Sequence, residues 1–476
     1  MMSSRFEILL GRLSVALLAT AVFPAGANGS STTITVSGTQ WGVSTQYIGA
    51  NEGDQYFNIN DLKDLGINTY RIYGGMSRWE WQDDDGVFGS PTIAQIKANP
   101  SVINWTWWDQ AMNANSSTQN GSDYWWSGDS GVWQGSAATI FAALKANNIR
   151  PLVVLRNVDN NKNPAWANMQ LNPPNTTSGQ NEWWEHVFST AYWLNVRNSY
   201  QVDDWEIHNE PNNGNQGWSG TEADYIAFAN LTADAIRYVY STYLPGRTPH
   251  IYAPVTTTGS SWPRDLMQQA PTAFDSVDIH DYDGDIRNYV EQVHGYMNSN
   301  GFTNAPLWVS EWGTYRSGYK GVTFGVNNVV KNLIYGSYPG NDHVTGSHIF
   351  SLYDWGAGGY GLIEAGDTPQ ADYYAMRLAI RGLQGGRPTY QSTSSNRNVT
   401  AITTKDSAGH YWVLLTNTSK TASTTTINLS ALLSSGTGTM WVFDGTHNDV
   451  IVGNPILAGG NVTVTLSGTS ANLIEF

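Results

Sequence analysis

Eight short runs of β-branched and apolar residues punctuate the middle of this chain, and most are separated by stretches with helical spacing. The runs are Tyr47–Ala50, Thr69–Tyr73, Arg150–Leu155, Trp205–His208, His250–Ala253, Val277–His280, Leu307–Ser310 and His348–Tyr353. Between them, Gly135–Asn147, Glu182–Tyr200, Thr221–Ser241, Arg287–Asn300, Gly325–Tyr338 and Pro369–Leu383 carry the clearest helical periodicity. Strand and helix in strict alternation build a parallel sheet, because each crossover helix must carry the chain back before the next strand can pair. Eight such units close into a (β/α)₈ barrel, whose reactive groups collect at the C-terminal ends of its strands. A doubly wound open sheet would give a similar string, but no G-x-G-x-x-G turn follows the first run. The expected fold class is therefore α/β, with a (β/α)₈ TIM barrel over residues 41–386.

After Gly385-Gly386-Arg387-Pro388 the texture changes. Ser and Thr crowd in, and the alternating runs Val399–Thr403, Tyr411–Asn417, Thr424–Leu429, Met440–Phe443, Val462–Leu466 and Ala471–Phe476 are separated by turn residues. This predicts an antiparallel β-sandwich over residues 387–476. The alternating segment Thr32–Val36, within residues 28–40, is more strand-like than the approach to a barrel requires, which predicts that it pairs with the sandwich. At the amino terminus, Arg5 and Arg12 precede the apolar run Leu13–Phe23, and Ala25-Gly26-Ala27 has the small-x-small pattern that a signal peptidase needs. Residues 1–27 therefore read as a secretory signal, and the product as a soluble extracellular protein. Nine Asn-x-Ser/Thr sequons, from Asn104 to Asn461, would be eligible for glycan in a host that secretes through an endoplasmic reticulum.

Composition narrows the chemistry. Twenty-four basic residues against 39 acidic ones give a net charge of −15, the wrong sign for a nucleic acid or an anionic membrane as partner. With no cysteine, disulfide scaffolds, thiolate metal sites and cysteine nucleophiles are excluded together. Histidines never occur at metalloprotease spacing, and no G-x-S-x-G elbow or phosphate loop is present. Asp83-Asp84-Asp85-Gly86 and Asp281-Tyr282-Asp283-Gly284-Asp285 resemble calcium loops, but neither meets the full EF-hand template, since Ile286 stands where the glycine should be. The expectation is a monomer with no metal and no cofactor.

Two glutamates carry the reaction. The segment Asp204-Trp205-Glu206-Ile207-His208-Asn209-Glu210-Pro211-Asn212 closes the fourth run, and Leu307-Trp308-Val309-Ser310-Glu311-Trp312-Gly313 closes the seventh. Strands four and seven face each other across a barrel mouth, so Glu210 and Glu311 can converge on one bond there. Glycoside cleavage needs such a pair, one acid to protonate the departing oxygen and one carboxylate to attack or stabilise the cationic sugar.

These residues resemble the clan A glycoside hydrolases, in which Asn-Glu-Pro ends strand four and a second Glu ends strand seven. The appended β-domain is similar to that of family 39 and its relatives. The resemblance implies a retaining β-glycosidase in which Glu210 is the acid/base and Glu311 the nucleophile. It also implies that Asn209 bonds the sugar 2-hydroxyl, that Arg71 lies beside the nucleophile, that His280 and Tyr282 orient the nucleophile and sugar, and that Trp355 floors the subsite. Glu206 and His208 read instead as satisfied groups of the barrel interior.

The 21 tryptophans point the same way, since a rigid amphipathic ring matches the apolar face of a pyranose. Trp81, Trp105, Trp107, Trp108, Trp125, Trp126, Trp133, Trp166 and Trp218 lie outside the expected helices, and the stretch Arg78–Gln134 reads as an insertion walling a saccharide cleft. The partner expected is thus a neutral polysaccharide or oligosaccharide. The alternative is a carbohydrate-binding or wall protein that keeps the groove without turnover, and carboxyl groups more than about 6.5 Å apart would point to an inverting enzyme.

Overall fold

A computed structural model describes residues 30–52, 57–80, 82–114, 136–157, 165–167, 170–314, 321–354, 359–364 and 368–476. The first strand, β1 (Ser30–Val43), lies outside the barrel. The barrel strands are β2 (Tyr47–Asn51), β3 (Thr69–Tyr73), β4 (Arg150–Leu155), β5 (Asp204–Ile207), β6 (His250–Thr256), β7 (Ser276–Tyr282), β8 (Leu307–Gly313) and β9 (Gly346–Ile349). They pair in parallel in chain order and close β9 onto β2. All eight expected runs therefore supply staves of one cylinder, although the last stave ends at Ile349 and Tyr353 of that run joins a small separate sheet.

Two layers fill the cylinder. At its N-terminal end, Leu152, Tyr252 and Trp308 pack together, Tyr47 stacks on Trp308, and Arg150 and the Tyr252 hydroxyl both engage Asp204. The Trp308 ring lies so close to β9 that a Cβ on Gly346 would sit 2.1 Å from it, so only glycine fits there. The second layer, nearer the mouth, is polar and holds the site described below. Outside, the helices Ala137–Ala146 and Glu222–Tyr243 begin at Ser136 and Thr221, whose side chains accept from backbone N–H groups of the first turn. The expected helices Glu182–Tyr200 and Gly325–Tyr338 contain π-helical turns, at Trp193–Arg197 and Gly325–Val330.

Much of the described part of the insertion packs against a barrel helix, while its first residue, Arg78, reaches Tyr73. The helix is Thr177–Tyr192: Trp105 stacks on Tyr192, Asp109 accepts from the Trp193 indole at 2.9 Å, and Gly89 N donates to Glu182. The described tryptophans of the insertion serve packing. Trp108 is fully buried, and Trp105 and Trp107 lie partly buried against the core; outside the insertion, Trp166 is likewise partly buried and Trp218 is buried against Phe228. The physical reason is that an indole buries more apolar area in a core than on an open rim. Trp81, Trp125, Trp126 and Trp133 lie outside the described residues, as does the whole of the expected signal segment.

The C-terminal part is one continuous eleven-stranded sheet. β1 is inserted into it, antiparallel to Pro388–Ser394 on one side and parallel to Ser423–Asn428 on the other. Residues from strands far apart in that order, among them Ile34, Val413, Leu457, Val464 and Ile474, share one apolar cluster, so the sheet curls over itself. Alternation along Tyr411–Asn417 explains why the strand is buried on both faces. Val413 and Leu415 enter this cluster, while Trp412 and Leu414 join the barrel's core under the helix Ala371–Leu383. Asp449 pairs with Arg377 and Arg381 of the same helix. Among the sequons, Asn417 is buried and donates to Thr421 O and Ser467 O, so it is closed to glycan in the folded chain.

Candidate active site

Arg71 and Tyr73 are two residues apart on β3, so both side chains point into the barrel, whereas Tyr70 and Ile72 face the helices. The buried Arg71 guanidinium organises the upper layer. Its Nε donates to Glu206 Oε2 at 2.6 Å, Nη1 to Glu311 Oε1 at 2.5 Å and to Asn51 Oδ1 at 2.7 Å, and Nη2 to Asn209 Oδ1 at 2.9 Å. Glu206 is thus the satisfied interior group expected of it. His208 is likewise structural: burial holds its imidazole down at about 3, and Nδ1 bonds Asn209 O.

Glu311 ends up surrounded by donors. Tyr73 and Tyr282 both donate to it through their hydroxyls, the latter at 2.5 Å, and His280 Nδ1 lies 3.4 Å from Oε2. A bulge between Ile279 and His280 sets His280 level with Glu311 on the neighbouring strand. Burial pushes the Glu311 carboxyl up, but the charges of His280 and Arg71 and the two phenols outweigh it and hold the group at about 2. Burial also raises both phenols well above their ordinary value, and Glu311 adds to that, so each keeps the proton it donates.

Glu210 reaches the same space from the other side. Its carboxyl accepts from His280 Nδ1 at 2.9 Å and from Asn213 Nδ2 at 2.9 Å. The backbone that delivers it is strained, with φ of +68° at His208 and +46° at Glu210, each costing roughly 1–2 kcal/mol for a residue with a Cβ. The bond from Glu210 N to Val255 O pins the turn. One carboxylate oxygen of Glu210 and one of Glu311 lie within 4.8 Å of each other and of a His280 ring nitrogen. His280 is buried, which opposes its charge, yet the two carboxylates raise its pKa, and its Nε2 reaches Ser310 Oγ at 3.1 Å.

The structure therefore brings Glu210, Glu311, Asn209, Arg71, His280 and Tyr282 to one rim. Trp355 lies outside the described residues. Sequence reasoning missed Tyr73, Asn51 and Ser310. Tyr73 was open to discovery, since the period of a strand puts it on the same face as Arg71.

Comparisons with known proteins bear on the fold and on the segment that carries both glutamates. Residues 207–333, from the end of β5 past Glu311, match the family model described as the glycosyl hydrolase catalytic core. The chain carries a glycosyl hydrolase core. Solved structures share its fold over nearly its full length. A glucosidase from Croceicoccus marinus superposes with a TM-score of 0.66 at 14% identity, covering 94% of this chain and 98% of its own. A family 39 glycoside hydrolase from Xanthomonas axonopodis pv. citri gives 0.63 at 14% identity, with 95% and 99% covered. A family 30 endoxylanase from Clostridium papyrosolvens gives 0.61 at 13% identity, with 93% and 99% covered. No curated protein matches the sequence.

Proposed function

We propose that this glycoside hydrolase is an exported enzyme that cleaves β-linked neutral saccharides with retention of configuration. Glu311 is the nucleophile and Glu210 the acid/base. The observation that carries the reading is the separation of under 4.8 Å between their nearest oxygens, within reach of one anomeric carbon and short of the roughly 6.5–9.5 Å that an inverting enzyme needs for its water.

The first step is attack by Glu311 on the anomeric carbon while Glu210 protonates the departing oxygen. Arg71, His280, Tyr73 and Tyr282 keep Glu311 ionised and fixed in direction, so little reorganisation remains for the transition state. Asn209 holds its carbonyl oxygen against Arg71, which leaves the amide N–H₂, with one long 3.5 Å contact to Gln216, turned toward a sugar hydroxyl. In the second step Glu210 takes a proton from water, and the glycosyl ester on Glu311 is hydrolysed. Export rests on the Arg5-to-Ala27 pattern and is tested by sequencing the mature terminus, expected near Asn28.

The decisive experiment is digestion of a panel of neutral β-glycans, with proton NMR of the first anomer released and Glu311→Gln as control. A β product that later mutarotates supports the proposal. An α first product, or equal turnover by Glu311→Gln, ends it.

A further inference from the structure

Away from the catalytic mouth, a second set of carboxyl groups lies between the insertion and the helix Thr177–Tyr192. Asp83, Asp84 and Asp85 each present an oxygen within 4.8 Å of the other two. Asp84 is 5% exposed, and neither of its oxygens has a hydrogen-bond partner. The Asn104 backbone N–H and the Trp108 indole N–H lie close enough to favour its ionised form, but neither completes a hydrogen bond, and the indole has no other partner.

The helix brings up more acid. Glu185 is wholly buried and both its oxygens lack partners, and the charge it feels most strongly is that of Asp84. Glu182 uses one oxygen to accept from Gly89 N at 2.6 Å and leaves the other bare. Glu80 spends one oxygen on His186 Nδ1 at 2.6 Å and also leaves one bare. Burial holds His186 at about 3, so it brings no positive charge. Among the described residues, no lysine or arginine forms an ion pair with any of these carboxyl groups.

So many neighbouring carboxyl groups, with Glu80, Asp84, Glu182 and Glu185 buried, need either protons or a cation. Protons cancel the charge, but each new O–H then needs an acceptor and each remaining oxygen a donor, and the orphaned oxygens have neither. A hard cation meets charge and lone pairs together. The donors are all oxygen, from flexible carboxylates, which suits the 6–8 ligands at about 2.3–2.6 Å that calcium accepts better than the strict octahedron of magnesium.

We propose that Asp83, Asp84 and Asp85 bind a calcium ion, with Glu185 facing them from the helix, and that the ion fastens the insertion to the barrel wall. The insertion leaves β3 just after Tyr73, so the ion also steadies the strand end that supports Glu311.

The test uses the full chain, stripped with chelator and titrated with calcium chloride by calorimetry, then melted with and without millimolar calcium. One ion should bind per chain and raise Tm by at least about 3 °C. Asp84→Asn should lose both responses. Should that variant fail to fold, Asp85→Asn, at an exposed position, carries the test: its metal-free Tm should stay unchanged while calcium affinity falls roughly 10–100-fold. Absence of binding heat and of a Tm shift in the unaltered chain would overturn the assignment. So would an equal Tm rise with magnesium or with sodium chloride at matched ionic strength, or undiminished calcium binding in Asp85→Asn.

Discussion

Replacing Tyr73 by Phe removes one oxygen and no packing volume, which isolates what its hydroxyl does for Glu311. The hydroxyl donates to Glu311 and accepts from Arg71 Nη1 at 2.9 Å. Arg71 keeps Glu206, Asn51, Asn209 and Glu311 after the change, so its position should hold. A hydrogen bond to a buried charged group is worth about 1.5–3 kcal/mol, and at 1.36 kcal/mol per unit its loss should raise the Glu311 pKa by roughly 1–2 units. Starting from about 2, the variant's carboxyl should titrate near 3–4. The assay is kcat/KM on an activated aryl β-glycoside against pH, which reports the free enzyme. The unaltered enzyme should stay flat on its acid side down to about pH 3, whereas Tyr73→Phe should show a rising limb near pH 3–4. A uniform fall in kcat/KM with no movement of the acid limb would refute the claim that this phenol helps keep the nucleophile ionised.

Three other outcomes are expected. Glu210→Ala should lower turnover steeply on poor leaving groups and much less on activated aryl glycosides, because only the former need the proton; comparison of the two substrate types checks it. Glu311 has its folded pKa depressed from 4.5 to about 2, so its contribution to stability is present above about 4.5 and is lost as pH falls toward 2, amounting to up to about 3 kcal/mol. Denaturant unfolding at several acidic pH values should show a steeper loss for the unaltered chain than for Glu311→Gln. Gly346→Ala should destabilise by about 1–3 kcal/mol or more through collision with Trp308, read as a lowered denaturation midpoint.

The barrel was legible because its strands are buried on both sides and so carry continuous apolar stretches, as at 151–155 and 307–309. The convergence of Glu210 and Glu311 followed from strand number alone. What the sequence hid was set by tertiary context. The strands Pro388–Ser394, Ser435–Thr437, Asn448–Gly453 and Ile456–Ala458 are short or polar, and pairing with neighbours rather than local pattern makes them strands. The π turns at Trp193–Arg197 and Gly325–Val330 leave the helical periodicity nearly intact. Composition says which rings the insertion holds, not which way they turn, so the packing roles of Trp105, Trp107 and Trp108 were not legible.

The threading of β1 between strands whose paired residues lie 345 to 393 positions further on has a price in time as well as in architecture. As the polypeptide leaves the ribosome, this opening segment must wait, unpaired, until Pro388–Ser394 and Ser423–Asn428 emerge. A cut ahead of Pro388 would remove the berth of the head along with the rear module, and a graft that swaps that module alone would leave the new sheet missing a plank in its middle.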